Sequence, residues 1–174
     1  MKRVIKVELS PDSIDDAINE IEQYREGLEN KLKIFVDTLT QKGVKVAKMA
    51  VVASRGDSTD AYVDYTVDST SGEIITATIF LEGTEALFIE FGAGIAYNTG
   101  AQHPMAGELG YGVGTYPSKH PPNKAMNPGY WWYKDENGQK QRSIGTEATM
   151  PIYKASETVR NNIIKEAINV FKKG

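Results

Sequence analysis

The 174-residue chain predicts an α+β domain: a long N-terminal helix and a C-terminal helix packed on a small antiparallel sheet, with a long Gly/Pro-rich loop. Three observations carry this expectation. Apolar residues recur at helical spacing near both ends, and apolar and polar residues alternate strictly in the middle. Residues 92–129 hold eight of the sixteen glycines and five of the seven prolines. With 40% hydrophobic and 25% charged residues, the chain reads as one domain over 1–174 with a core of useful size.

The first helix opens at Ser10-Pro11-Asp12, with Ser10 as N-cap, Pro11 at the first helical position and acids Asp12, Asp15 and Asp16 at the positive end of the dipole. Ile14, Ile18, Ile21, Leu28, Leu32, Phe35 and Leu39 then repeat close to every 3.5 residues, with Arg25 as the one gap. A stripe of this length reads as a core-facing surface rather than a coiled coil. Lys42-Gly43 reads as the helix stop, and Val44 to Val52 as a second short helix that folds back or continues after a kink.

A hairpin follows. Ala61, Val63, Tyr65 and Val67 alternate with polar residues, Ser69-Thr70-Ser71-Gly72 turns the chain, and Ile75, Ala77, Ile79 and Leu81 alternate in return. Gly83-Thr84-Glu85 ends the second strand and leads into a short apolar turn, Ala86 to Phe91. Beyond it, residues 95–129 form an extended loop, of a length that in compact domains is usually functional. Gly129 to Arg142 reads as a second hairpin around Asn137-Gly138. Met150-Pro151 opens the last helix, whose stripe is Ile152, Ala155, Val159, Ile163, Ala167 and Val170/Phe171, closed by Lys172-Lys173.

Composition narrows the function. No apolar run is long enough to span a membrane, and the N-terminus lacks a signal-peptide pattern. The chain has no cysteine, which removes disulfides, thiolate metal sites and a cysteine nucleophile. Net charge is −3 but unevenly spread: Gly56 to Phe91 contains eight acids and no Lys or Arg. Ten bases against six acids from Gly92 onward are scattered, without the clustering that phosphate neutralisation needs. Specific DNA or RNA binding is not expected.

Candidate chemistry is thin. Gly92-Ala93-Gly94 could begin a dinucleotide turn, but Tyr97 stands where the third glycine is required and no helix pattern follows. His103 and His120, with Glu90 and Glu108, allow a two-histidine zinc site to be written, yet H-E-x-x-H is missing and both histidines precede proline in turns. Neither histidine has an evident orienting partner, and no serine lies in a G-x-S-x-G elbow. Trp131 and Trp132, within Tyr130-Trp131-Trp132-Tyr133, could stack on sugars; alternation along a strand instead sends one inward and the other over the loop or a neighbouring subunit. A carbohydrate-binding module and a metal-dependent hydrolase using the Gly/Pro-rich loop are the alternative classes. No catalytic, cofactor or metal-binding residue is expected.

Phe88-Ile89-Glu90-Phe91-Gly92-Ala93-Gly94, then His103-Pro104, a tryptophan-bearing segment, Gly145-Thr146, and Met150-Pro151-Ile152-Tyr153-Lys154-Ala155 before a closing helix form a pattern. It resembles the small tail-component family of long-tailed bacteriophages, over about residues 12 to 172. The resemblance implies a structural virion protein of the phage neck, assembled in the host cytoplasm, that joins tail to head. Its copies would form a ring around the DNA channel, between the connector and the tail tube or tail terminator proteins. DNA would pass without specific binding.

On this reading the interface residues are Phe88, Glu90, Gly92, Gly94, Tyr97, Met105, Leu109, Tyr111, Tyr116, Trp131 and Trp132. Asp64 and Asp68 would face the channel, where like charge lets DNA slide. Gly92 and Gly94 would form a sharp corner. Residues 95–129 would be mobile in the free subunit and ordered by neighbours, because so few apolar residues cannot offset their ordering entropy.

Overall fold

The computed structural model describes residues 5–54, 60–70, 74–92, 103–109, 131–134, 137–143 and 146–172. Its elements are α1 (Pro11–Ala53), β1 (Tyr62–Thr70), β2 (Ile74–Glu82), α2 (Ala86–Phe91), β3 (Trp131–Lys134), β4 (Lys140–Ser143) and α3 (Pro151–Lys172). This is the expected α+β arrangement of two long helices and small antiparallel sheets.

α1 starts where the sequence places it, with the Ser10 side chain accepting the Ser13 N–H at 3.4 Å and Pro11 in the first turn. It does not stop at Gly43. The helix runs unbroken to Ala53, and Ser54 closes it by donating its N–H to Ala50 and Val51 carbonyls. Gly43 serves close packing instead: a Cβ there would lie 2.6 Å from Ile79 Cδ1 and 3.0 Å from Val159 Cγ2. The glycine lets the sheet and α3 approach α1 at one point.

α3 runs antiparallel to α1. The Phe35 and Phe171 rings sit 5.9 Å apart, while Gly43 meets the stretch around Ala155 and Val159. At 1.5 Å per residue α1 is about 64 Å long and α3 about 33 Å, so α3 covers only part of its partner.

β1 and β2 pair antiparallel, with Val63 opposite Leu81, Tyr65 opposite Ile79 and Val67 opposite Ala77. Because side chains alternate, these pairs share one face. The core forms where that face meets the C-terminal half of α1 and the start of α3: Val44, Ala47, Val51, Val63 and Ala155, flanked by Ala61, Tyr65, Ile79 and Leu81. Asp60 ties the base of the hairpin, accepting the Thr84 N–H and hydroxyl at about 3.0 Å.

The second hairpin is also present, with Lys134 opposite Lys140. Five residues lie between that pair, so Asn137-Gly138 sits in a longer loop than a two-residue turn. Gly138 has φ +75°.

The α3 stripe holds at Ala155, which is buried, but Ile163 is exposed and Glu166 takes a buried place on the α1-facing side. The Lys42 ammonium donates to Glu166 Oε1 at 2.6 Å and the Asn169 amide to Oε2 at 3.3 Å. Foremost the Lys42 bond, then that of Asn169, holds the Glu166 carboxyl below its ordinary value of 4.5. A depressed folded-state pKa stabilises the protein above the ordinary value, and the contribution is lost as pH falls through the lowered one. Denaturant titrations at pH 7 and at successively lower pH below 4.5 are therefore expected to show a smaller acid-induced loss of stability in Glu166→Gln than in wild type. An equal loss in both proteins would contradict this assignment.

Candidate functional site

α2 is a short apolar helix with one acid, Glu90, and that acid is buried. A buried carboxylate must find donors or carry a large desolvation cost. Glu90 finds three. Oε2 accepts the Ile152 N–H at 2.8 Å, Oε1 accepts the Tyr153 N–H at 2.9 Å, and His103 Nε2 lies 2.9 Å from Oε1. His103 Nδ1 accepts the Met105 N–H at 3.1 Å, so the ring proton sits on Nε2 and is donated to Glu90. The imidazole is further fixed between the rings of Phe91 and Tyr153, at 4.5 and 5.2 Å.

The neighbouring residue completes the junction. The Ile89 carbonyl accepts the N–H groups of Thr149 and Met150 at 3.0 and 3.3 Å. Two consecutive residues of α2 thus satisfy the N–H groups of Thr149, Met150, Ile152 and Tyr153, and the one skipped, Pro151, has none. The first free N–H groups of a helix normally need side-chain caps or water. Here another helix supplies the acceptors, with a negative charge at the positive end of the α3 dipole. Met150 has φ +55°, unusual for a non-glycine residue, and is held there by its bond to Ile89, its carbonyl's bond to Lys154 and its burial.

Gly92 ends α2 at φ +77° and ψ 158°, donating its N–H to the Phe88 carbonyl at 2.8 Å. The corner expected at this glycine is therefore present. Beside the junction lies a cleft of about 470 Å³ whose walls include Phe80, Leu87, Phe91, Met105, Leu109 and Arg160.

The Glu90–His103 pair lines this cleft with both imidazole nitrogens engaged and both carboxylate oxygens accepting hydrogen bonds. His103 thus does have an orienting partner, contrary to the sequence-based expectation, and that partner, Glu90, also caps α3. Among the described residues no group of three potential ligands could hold a metal ion, and His120 of the zinc set lies outside them.

The other expected positions divide. Phe88 is half-buried on α2, Met105 and Leu109 are exposed in the segment 103–109, and Trp132 is 60% exposed on β3. Trp131 is on the same strand, with its side chain outside the described set. Gly94, Tyr97, Tyr111 and Tyr116, and with them most of the 95–129 loop, also lie outside the described residues. Asp64 and Asp68 are exposed on the hairpin face away from the core, opposite Phe80 and Thr76. Glu90 is buried, with its hydrogen bonds made inside the subunit.

One surface was not expected. The large apolar residues of the α1 stripe are core in its C-terminal part, where Leu39 is buried and Phe35 meets Phe171, while in the N-terminal part the small Ala17 beside the stripe is buried. Ile14, Ile18, Ile21 and Leu28 are exposed, Ile21 by 56%.

Comparison with protein-family models, characterised proteins and solved structures finds no significant match. Among the described residues, no helix is long and apolar enough to cross a membrane.

Proposed function

We propose that the chain is a structural protein of the bacteriophage neck, joining tail to head connector as one subunit of a ring around the DNA channel. One observation carries the reading. The two segments most specific to the family resemblance, Ile89 to Gly94 and Ala148 to Ala155, lie far apart in sequence, yet Ile89 and Glu90 of the first bond directly to Thr149, Met150, Ile152 and Tyr153 of the second. Two short matches that meet in one buried unit weigh more than two matches scattered over a surface.

The surface supports the same reading. Exposed apolar residues on α1, together with Met105, Leu109 and Trp132, are what a subunit leaves for its neighbours to cover. The acidic outer face of the first hairpin, with Asp64 and Asp68, suits a wall past which DNA slides.

Antibody against the chain is expected to label the head–tail junction of purified virions. Particles made without it are expected to accumulate as filled heads and finished tails that do not join. Label elsewhere on the virion, or normal joining without the protein, would overturn the proposal. So would a neck structure with Asp64 and Asp68 on the outer rim, for the channel-facing part.

A further inference from the structure

The exposed part of α1 has a definite pattern. Rotation by 100° per residue puts Ile14, Ile18, Ile21 and Leu28 on one ridge, continuous with the Leu32, Phe35 and Leu39 ridge that the chain's own α3 covers. Along one side of that ridge run Asp15, Glu22 and Glu29, seven positions apart. From Pro11 to Asn30 the helix carries seven acids and one base. Its missing cover must be apolar with basic flanks.

α3 presents such a surface on the side turned away from α1. Opposite the buried Glu166 lie Ile164, 75% exposed, and Ile168, also exposed. Lys165 and Lys172 border this patch on one side, seven positions apart; on the other side Arg160 is paired with Glu157 at 3.2 Å, so the two lysines carry its basic flank. The seven-residue spacing of the lysines equals that of Glu22 and Glu29, so two antiparallel helices could align both pairs across one apolar seam. The outward face of α3 cannot reach the N-terminal ridge of its own chain, because the opposite face of α3 is held against the C-terminal half of α1, at Phe35 and Lys42.

We infer that the outward face of α3 in one copy docks on the N-terminal apolar ridge of α1 in the next copy. The contact extends each chain's own α1–α3 packing by one further helix. It joins two different surfaces, so it is heterologous, and a rotation that closes generates a ring. Flanking charges fix register and polarity: acids facing acids would penalise antiparallel pairing of two α1 ridges. The inference rests on the ring reading and specifies which surfaces form it.

The lack of cysteine allows a clean test on the full chain. Ile21→Cys and Ile164→Cys proteins, mixed at high concentration with a short bis-maleimide, are expected to give a covalent dimer at several times the yield of either alone. Lys165→Glu with Lys172→Glu on the Ile164→Cys protein should abolish it. Glu22→Lys with Glu29→Lys on the other protein should restore it. Ile18→Cys and Ile168→Cys form a second pair if either first variant misfolds by circular dichroism. No dimer from either pair, an equal yield from Ile21→Cys alone, or indifference to the charge reversals would overturn the inference. Such a failure in a protein that still labels the neck condemns this interface only. The reciprocal-charge crosslink in a protein missing from virions condemns the neck reading only.

Discussion

Glu90→Ala is expected to destabilise the protein by about 3 to 5 kcal/mol, the range for removing one member of a buried, fully hydrogen-bonded set. The variant leaves the N–H groups of Ile152 and Tyr153 and the Nε2 proton of His103 without their acceptor in a buried site at the edge of the cleft. Each unsatisfied buried donor costs about 1 to 3 kcal/mol, reduced where water can enter the cavity. Glu90→Gln keeps the volume and one acceptor oxygen but turns an amide donor toward other donors, so it should fall between Glu90→Ala and wild type. His103→Phe removes only one of the three donors and leaves the α3 cap intact, so it should cost least. Urea unfolding at neutral pH ranks the three. Hydrogen exchange locates the effect, with the Ile152 and Tyr153 amides losing protection in both Glu90 variants and keeping it in His103→Phe. A loss below about 1 kcal/mol for Glu90→Ala would show that water or another group replaces the carboxylate.

The sequence makes parts of this legible and hides others for definite reasons. The start of α1, the hairpin faces and the start of α3 rest on neighbours three to four positions apart or on strict alternation, and these were readable. Gly43 reads as a helix stop because a glycine that stops a helix and one that admits close packing look the same in one dimension. Telling them apart requires knowing that Ile79 and Val159 arrive there. The division of the α1 ridge into covered and exposed parts is hidden too, since periodicity gives a face and not what covers it. At the junction, Glu90 and His103 are 13 positions apart, and Glu90 and Ile152 are 62. One signal was available: Glu90 is the sole charge in Ala86–Phe91, and a lone carboxylate in an apolar helix needs a partner.

The junction also bears on the role of α2. Held by Ile89 and Glu90 to the start of α3, this single apolar turn-and-a-half is fixed to the same helix whose outward face carries Ile164 and Ile168.

Gly92→Val is expected to cost about 3 kcal/mol and to impair assembly, from two sources that can be separated. The first is backbone strain. At φ +77° and ψ 158° the residue occupies a region populated essentially by glycine, and other residues bear about 1 to 3 kcal/mol there. The second is crowding. A Cβ would sit 3.2 Å from both the Cβ and the backbone nitrogen of Ala148, and 3.4 Å from the Thr146 carbonyl oxygen. That strand of chain has little freedom to retreat, because Thr149 and Met150 are bonded to Ile89 immediately afterwards. Overpacking against fixed backbone adds about 1 to 3 kcal/mol. Gly138 supplies the control: its φ of +75° is similar, but nothing lies within 4 Å of a Cβ placed there. Gly138→Ala should therefore show only the strain, about 1 to 2 kcal/mol. Gly92→Ala should exceed it, and Gly92→Val should exceed both, with reduced incorporation into virions. Denaturant unfolding of the three variants measures the order, and a Gly92→Val protein no less stable than Gly138→Ala would remove the corner from any part in holding α2 against the start of α3.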